Sequence, residues 1–204
     1  MRILYLTSAF LLLWVISAMG CSREQLVPTI PPAPTPTVTF SPTATPPPPK
    51  MIFVTSTSWA GSDIASLANA DALCQAQAGA AGRAGTWRAW ISGGGVNAID
   101  RIADVGPWYL VDQTTLVFNN KTGLAGAPIN PIILDQYGNY VGDFGIYAWT
   151  GTAPGGTADG VDCSNWTTGA STGTIGSATL ATSNWTSIYT DSCSNAYRLY
   201  CFEQ

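Results

Sequence analysis

The sequence predicts a mixed α+β domain with long loops over residues 51–204, and three observations predict it. Short apolar, β-branched or aromatic runs recur between clusters of Gly, Pro, Asn and Asp, the pattern of brief strands joined by turns. A single Ala-rich segment spaces its apolar positions every three or four residues, as a helix does. Four cysteines, Cys74, Cys163, Cys193 and Cys201, fall in the same region, two of them on its strand-like final segment.

Taken in order, Met51-Ile52-Phe53-Val54-Thr55 reads as the first strand, because β-branched and aromatic side chains suit a pleated surface. Leu67 to Ala78 reads as the helix, ending in the Gly79–Gly85 region. Trp87-Arg88-Ala89-Trp90-Ile91 alternates and returns as a strand until Gly93-Gly94-Gly95 breaks it; Val96 to Ala103 suits a short helix. Trp108-Tyr109-Leu110-Val111 and Leu116-Val117-Phe118 flank a turn at Asp112-Gln113. Ile132-Ile133-Leu134 runs into the turn residues Tyr137-Gly138-Asn139, and Tyr147-Ala148-Trp149-Thr150 is another strand. Gly151 to Thr190 reads as one long irregular stretch before the closing strand. The tetrapeptide Ser-Asn-Trp-Thr occurs at Ser164–Thr167 and again at Ser183–Thr186, with no similarity around the copies, and is read as coincidence rather than a repeat.

Upstream, Arg2 precedes an apolar run from Ile3 to Ile16, then Ser17-Ala18-Met19-Gly20-Cys21. The run is short for a membrane span and ends in small residues, as a secretory signal does, which makes residues 1–20 a signal peptide. Cysteine directly after the small-residue site resembles the bacterial lipobox, departing from it at Ala18, and implies lipidation of Cys21; the alternative is ordinary cleavage beside an unmodified cysteine. Two or three acyl chains would anchor the protein stably where one is marginal. Residues 21–50 hold ten prolines between Pro28 and Pro49. Proline lacks the backbone donor and fixes φ, so the segment reads as an extended stalk reaching up to about 90 Å from the bilayer, the alternative being a polyproline ligand. The expected location is outside the cytosol, on a bacterial outer membrane or cell surface.

Composition narrows the chemistry. The sequence contains no histidine, which removes the commonest general base and metal ligand. From Met51 onward five basic residues (Arg83, Arg88, Arg101, Lys121, Arg198) stand against eleven acids, a net of −6. Such a surface repels phosphate backbones, so nucleic acid is not an expected partner. With lipid on Cys21, four cysteines remain in an exported domain, which suggests two disulfides in one of three connectivities. The nested one, Cys74–Cys201 with Cys163–Cys193, is preferred: Cys193 and Cys201 lie too near along one strand to favour each other, and Cys163 opens the loop that Cys193 closes. In the chain-entropy picture the long staple contributes at most about 5 kcal/mol and the inner one about 4.

Asp71-Ala72-Leu73-Cys74-Gln75, Ala84-Gly85-Thr86-Trp87-Arg88-Ala89-Trp90-Ile91-Ser92, Arg101-Ile102-Ala103-Asp104 and the Cys193…Cys201 end, with its Arg-Leu-Tyr-Cys-Phe-Glu-Gln close, resemble endostatin, the C-terminal domain of certain collagens. The likeness is nearer still to bacterial endostatin-like lipoproteins and covers roughly Met51 to Gln204. It implies a C-type-lectin-like fold, with long loops and the same nested disulfides, and a surface protein that binds extracellular protein or glycan ligands. Two family properties do not carry over. Endostatin's zinc ligands are N-terminal histidines, absent here, and its heparin binding needs clustered arginines, so neither zinc nor heparin is expected. The Ca²⁺-lectin signatures are missing as well.

Candidate contacts follow. Trp166 and Trp185, with Asn165 and Asn184 beside them, sit in the loop-rich part and are read as rings and amides offered to a ligand, the alternative being that they pin the loop to the sheet. Asp159 and Asp162 are weak calcium candidates whose spacing fits no defined loop. Asp100, Arg101 and Asp104 read as helix-surface charges. No activated nucleophile can be named without a histidine or a lysine motif, so neither an enzyme nor a cofactor is expected. The expectation is a non-catalytic binding module on a lipid-anchored stalk; the alternative is a structural envelope lipoprotein contacting other bacterial surface components.

Overall fold

The structure, a computed structural model, describes residues 48–204, so the signal peptide, Cys21 and most of the stalk lie outside the described residues. The described chain forms a mixed α+β domain with three sheets and few helices.

The main sheet has the order β3-β10-β1-β4-β5, from β1 (Lys50–Val54), β3 (Trp87–Ala89), β4 (Trp108–Leu110), β5 (Leu116–Phe118) and β10 (Tyr200–Glu203). First and last strands are neighbours: β1 pairs antiparallel with β10 in the register Ile52↔Phe202, Phe53↔Cys201, Val54↔Tyr200, and parallel with β4 on its other edge. These central strands read as unbroken apolar runs because both faces of the sheet are covered. The strand period of two then divides the core. Ile52, Val54, Tyr200 and Phe202 join Trp90, Trp108, Phe118 and Trp185 in one cluster, while Phe53 and Cys201 join Cys74, Trp87, Trp149 and Trp166 in the other.

The helix α1 (Leu67–Ala80) covers the second cluster. Ser66 caps it by accepting from the Asn69 N–H at 3.1 Å, and Ala70, Cys74 and Ala78 form its buried stripe, small enough to bring the helix close to the sheet. Cys74 is bonded to Cys201, so α1 is stapled to the central strand, and Cys163 is bonded to Cys193. The nested connectivity preferred from the sequence is the one present.

Two readings are corrected here. Arg101, at the end of α2 (Ala98–Arg101), is buried rather than a helix-surface charge. Its guanidinium donates to the carbonyls of Ala89 (3.0 Å), Ile91 (2.8 Å) and Leu67 (3.1 Å) and to Asp71 Oδ1 (2.6 Å), tying α1, β3 and α2 together. The region 151–190 is not one irregular stretch: with β6 (Tyr147–Trp149) it supplies β7 (Thr172–Ser177) and the start of β8 (Tyr189–Ser192), an antiparallel sheet of order β6-β7-β8. The sequence Thr-Gly-Thr-Ile-Gly-Ser hides β7 because the strand is buried on both faces and each needs a glycine. A Cβ at Gly176 would sit 1.9 Å from the Trp185 carbonyl oxygen, and one at Gly173 2.8 Å from Cys163 Sγ, so chain and disulfide cross the strand where side chains would stand. A two-stranded pair, β2 (Trp59–Ala60) with β9 (Ala196–Tyr197), completes the sheets.

Candidate functional site

Trp166 and Trp185 do not present rings to solvent; they are 0% and 1% exposed, which corrects the sequence reading. The Trp166 Nε1–H donates to the Ser92 carbonyl at 2.8 Å and its ring meets Trp149 edge-on at 5.7 Å. The Trp185 Nε1–H donates to the Gly126 carbonyl at 2.8 Å, and its ring lies 4.9 Å from Trp90 and 5.1 Å from Phe118. A buried indole needs one acceptor and a large apolar surround, and both find them, so each pins its loop to the core. Asn165 and Asn184 remain exposed, with backbone N–H groups bonded to Asp162 Oδ1 and Thr182 Oγ1. The repeated tetrapeptide therefore does one job twice, a short capped turn that buries tryptophan and exposes asparagine. The first copy lies in α3 (Cys163–Trp166), a left-handed turn with φ between 54° and 65° at all four residues. The second is an ordinary 3₁₀ turn, Ser183–Trp185.

The calcium candidates serve the turns. Asp159 Oδ1 accepts from the Val161 N–H, and both oxygens of Asp162 accept backbone N–H groups, from Asn165 and Gly94. Among the described residues no three His, Cys, Asp or Glu side chains gather where an ion could be held.

An aromatic row that sequence reasoning missed emerges on the β6-β7-β8 sheet. Tyr147 and Trp149 lie two apart on β6 and share a face. Tyr197, from β9, meets Trp149 at 4.9 Å and Tyr147 at 5.9 Å, edge-on to both, and Tyr189 of β8 meets Tyr147 at 5.3 Å. The row grades from buried Trp149 through half-buried Tyr197 and Tyr147 to exposed Tyr189. Phe144, three residues before Tyr147 and so within about 11 Å of it along the chain, is 90% exposed. Gly142 (φ 125°) and Gly145 (φ 70°) take left-handed conformations on either side of Asp143-Phe144, shaping the tip that carries it. Tyr140, whose hydroxyl donates to Asp143, is exposed beside it.

One carboxylate sits among these rings. The Tyr197 hydroxyl donates to Asp191 Oδ2, and that bond, helped by the Ser192 N–H, holds the Asp191 carboxyl below the usual range. Burial, then the same bond, raises the Tyr197 phenol. Tyr189 is pushed up to about 12, first by burial and then by Tyr147. The face thus offers phenol hydroxyls, ring surfaces and a fixed acceptor. Tyr147 and Trp149 were legible as a strand and Tyr197 lay in the strand-like closing segment, but the row also needs β8, whose polar sequence carries no strand signal. No protein-family model matches the chain, and no curated protein matches it.

Proposed function

We propose that the protein is a non-catalytic binding module of C-type-lectin-like, endostatin-like build, held at a bacterial cell surface through lipid on Cys21, and that its aromatic face takes a protein or glycan ligand. The graded row Trp149–Tyr197–Tyr147–Tyr189 carries the reading, with exposed Phe144 three residues before Tyr147 along the chain. Its inner rings are locked by packing while its outer rings stay exposed, so contact area is available with little side-chain freedom left to lose. Asp191 adds an acceptor for a hydroxyl or amide N–H. The nested cysteine pairing and the adjacent first and last strands support the fold assignment. The test is an array of extracellular matrix proteins and glycans probed with the detergent-solubilised protein. A ligand lost in Tyr189→Ala and Phe144→Ala, with near-ultraviolet circular dichroism unchanged, supports the reading; ligands retained by both variants, or no ligand at all, count against it.

A further inference from the structure

The basic side chains of the described region are few, and most are used internally. Lys50 pairs with Glu203 and Arg101 with Asp71; Arg83 donates to the Gln136 carbonyl and Arg198 to that of Thr55. Two are left over. Arg88 gives one Nη1–H to the Arg101 carbonyl at 2.9 Å, which steadies its guanidinium, and its other N–H groups have no partner among the described residues. Lys121 has none for its ammonium. Both line the same cleft of about 460 Å³, together with Arg101, Asp100, Thr86 and Ile102.

That coincidence is informative on a domain dominated by acids. Arg101 is neutralised by Asp71, so the cleft holds two free cations and one carboxylate, Asp100, which accepts from Asn97 at 2.8 Å through Oδ2 and keeps Oδ1 unbonded. The Thr86 hydroxyl is also unbonded among the described residues. Counted over its side chains, the balance is a single positive charge beside acceptor and hydroxyl groups. A dianion or a polysulfated chain would press on Asp100, whereas one carboxylate on a hydroxylated body suits all four groups. The volume lies within the range of about 300–1,000 Å³ usual for small-molecule sites. Arg88 also lies close enough to Arg101 to oppose its charge, a repulsion that a bound anion relieves.

We infer that this cleft binds a sugar acid, a hydroxylated monocarboxylate whose carboxylate is held by Arg88 and Lys121 and whose hydroxyls reach Asp100 and Thr86. The site is separate from the aromatic face, and the two can fail independently. Isothermal titration of the detergent-solubilised protein with D-glucuronate, against D-glucose and sulfate, tests it. Glucuronate is expected to bind, with glucose and sulfate at least tenfold weaker. Arg88→Gln and Lys121→Gln, at side chains outside the core, are each expected to weaken glucuronate about tenfold or more, and Tyr189→Ala to leave it unchanged. Asp100→Asn should narrow the gap between glucuronate and sulfate. A neutral oligosaccharide ending in a single glucuronate that binds tighter than the monomer identifies a polysaccharide as the source, equal affinity a free sugar acid, and either supports the site. Glucose or sulfate equalling glucuronate, or full affinity in Arg88→Gln, overturns it.

Discussion

Tyr200 carries the one buried side-chain polar atom among the described residues without a hydrogen-bond partner, its hydroxyl. The ring packs 5.6 Å from Trp185 in the core, and burial alone pushes the phenol far above its ordinary value. An orphaned buried hydroxyl carries an uncompensated desolvation penalty, so removing it relieves the fold. Tyr200→Phe is therefore expected to be neutral or to stabilise by roughly 1 kcal/mol, read as an unchanged or higher urea midpoint at constant slope. Arg101 is the opposite case. Removing its guanidinium takes a donor from three carbonyls and leaves Asp71 with only the Ala89 N–H, and Arg101→Met is expected to cost about 3 kcal/mol or more, with Arg101→Lys rescuing only part because an ammonium cannot reproduce the planar fork. Nothing in Asp100-Arg101-Ile102-Ala103-Asp104 distinguishes that buried arginine from a surface one; only the docking of α1 against β3 does. The indoles of Trp166 and Trp185 were illegible for the same reason, since a tryptophan between polar neighbours reads alike whether it faces out or anchors a loop.

At the scale of elements, α3 stands out as four consecutive non-glycine residues in the left-handed region. Each such residue costs about 1–2 kcal/mol, asparagine least, and the turn persists because the Cys163–Cys193 bond, the Asp162 cap and buried Trp166 hold it from three sides. Ser164→Gly should then stabilise the protein by roughly 0.5–1 kcal/mol, the relief of the left-handed strain less the freedom glycine adds to the unfolded chain; a loss of stability in thermal unfolding would contradict this. The aromatic face makes a prediction on pH. Tyr189 has its folded pKa raised to about 12, so its contribution is complete below the unfolded tyrosine value near about 10 and is lost as pH rises through the window between the two. Phenolate absorbance should lag free tyrosine there while stability falls. Asp191 works at the acid end: its lowered pKa gives stability present above the unfolded carboxylate value and lost as pH drops through the folded one. Tyr197→Phe should return the Asp191 carboxyl toward ordinary values in an NMR titration. Apolar, β-branched elements such as β1 and the alanine stripe of α1 were readable along the chain because burial wrote their pattern. Strands β7 and β8 were not, because glycine, serine and threonine there answer to close chain crossings rather than to an apolar face.

For the whole molecule the decisive fact is that the last strand lies inside the main sheet, between β3 and β1, and carries Cys201 to Cys74. The pairing of β1 with β10 joins residues such as Ile52 and Phe202 across nearly the full described chain, so the entropy of closing that loop must be met before the central ladder forms. Both disulfides also reach the final segment, through Cys193 and Cys201, and in the chain-entropy picture each contributes a few kcal/mol by restricting the unfolded chain. The sequence made the connectivity readable because only one nested pairing suits cysteines so placed, yet it could not show that β10 is central rather than an edge. Position in the sheet sets the consequence of truncation. Deleting Tyr200–Gln204 removes the buried Tyr200, Cys201 and Phe202, opens β1 and β3 on their shared side and leaves Cys74 without a partner. An edge strand of that length could be lost at the expense of local fraying; a central one takes both core clusters with it, because Phe202 belongs to one and Cys201 to the other. The truncated protein is expected to expose a reactive Cys74 thiol and to lose its near-ultraviolet tryptophan signal entirely. Retention of that signal with only Cys74 labelled would mean the sheet closes without its final strand.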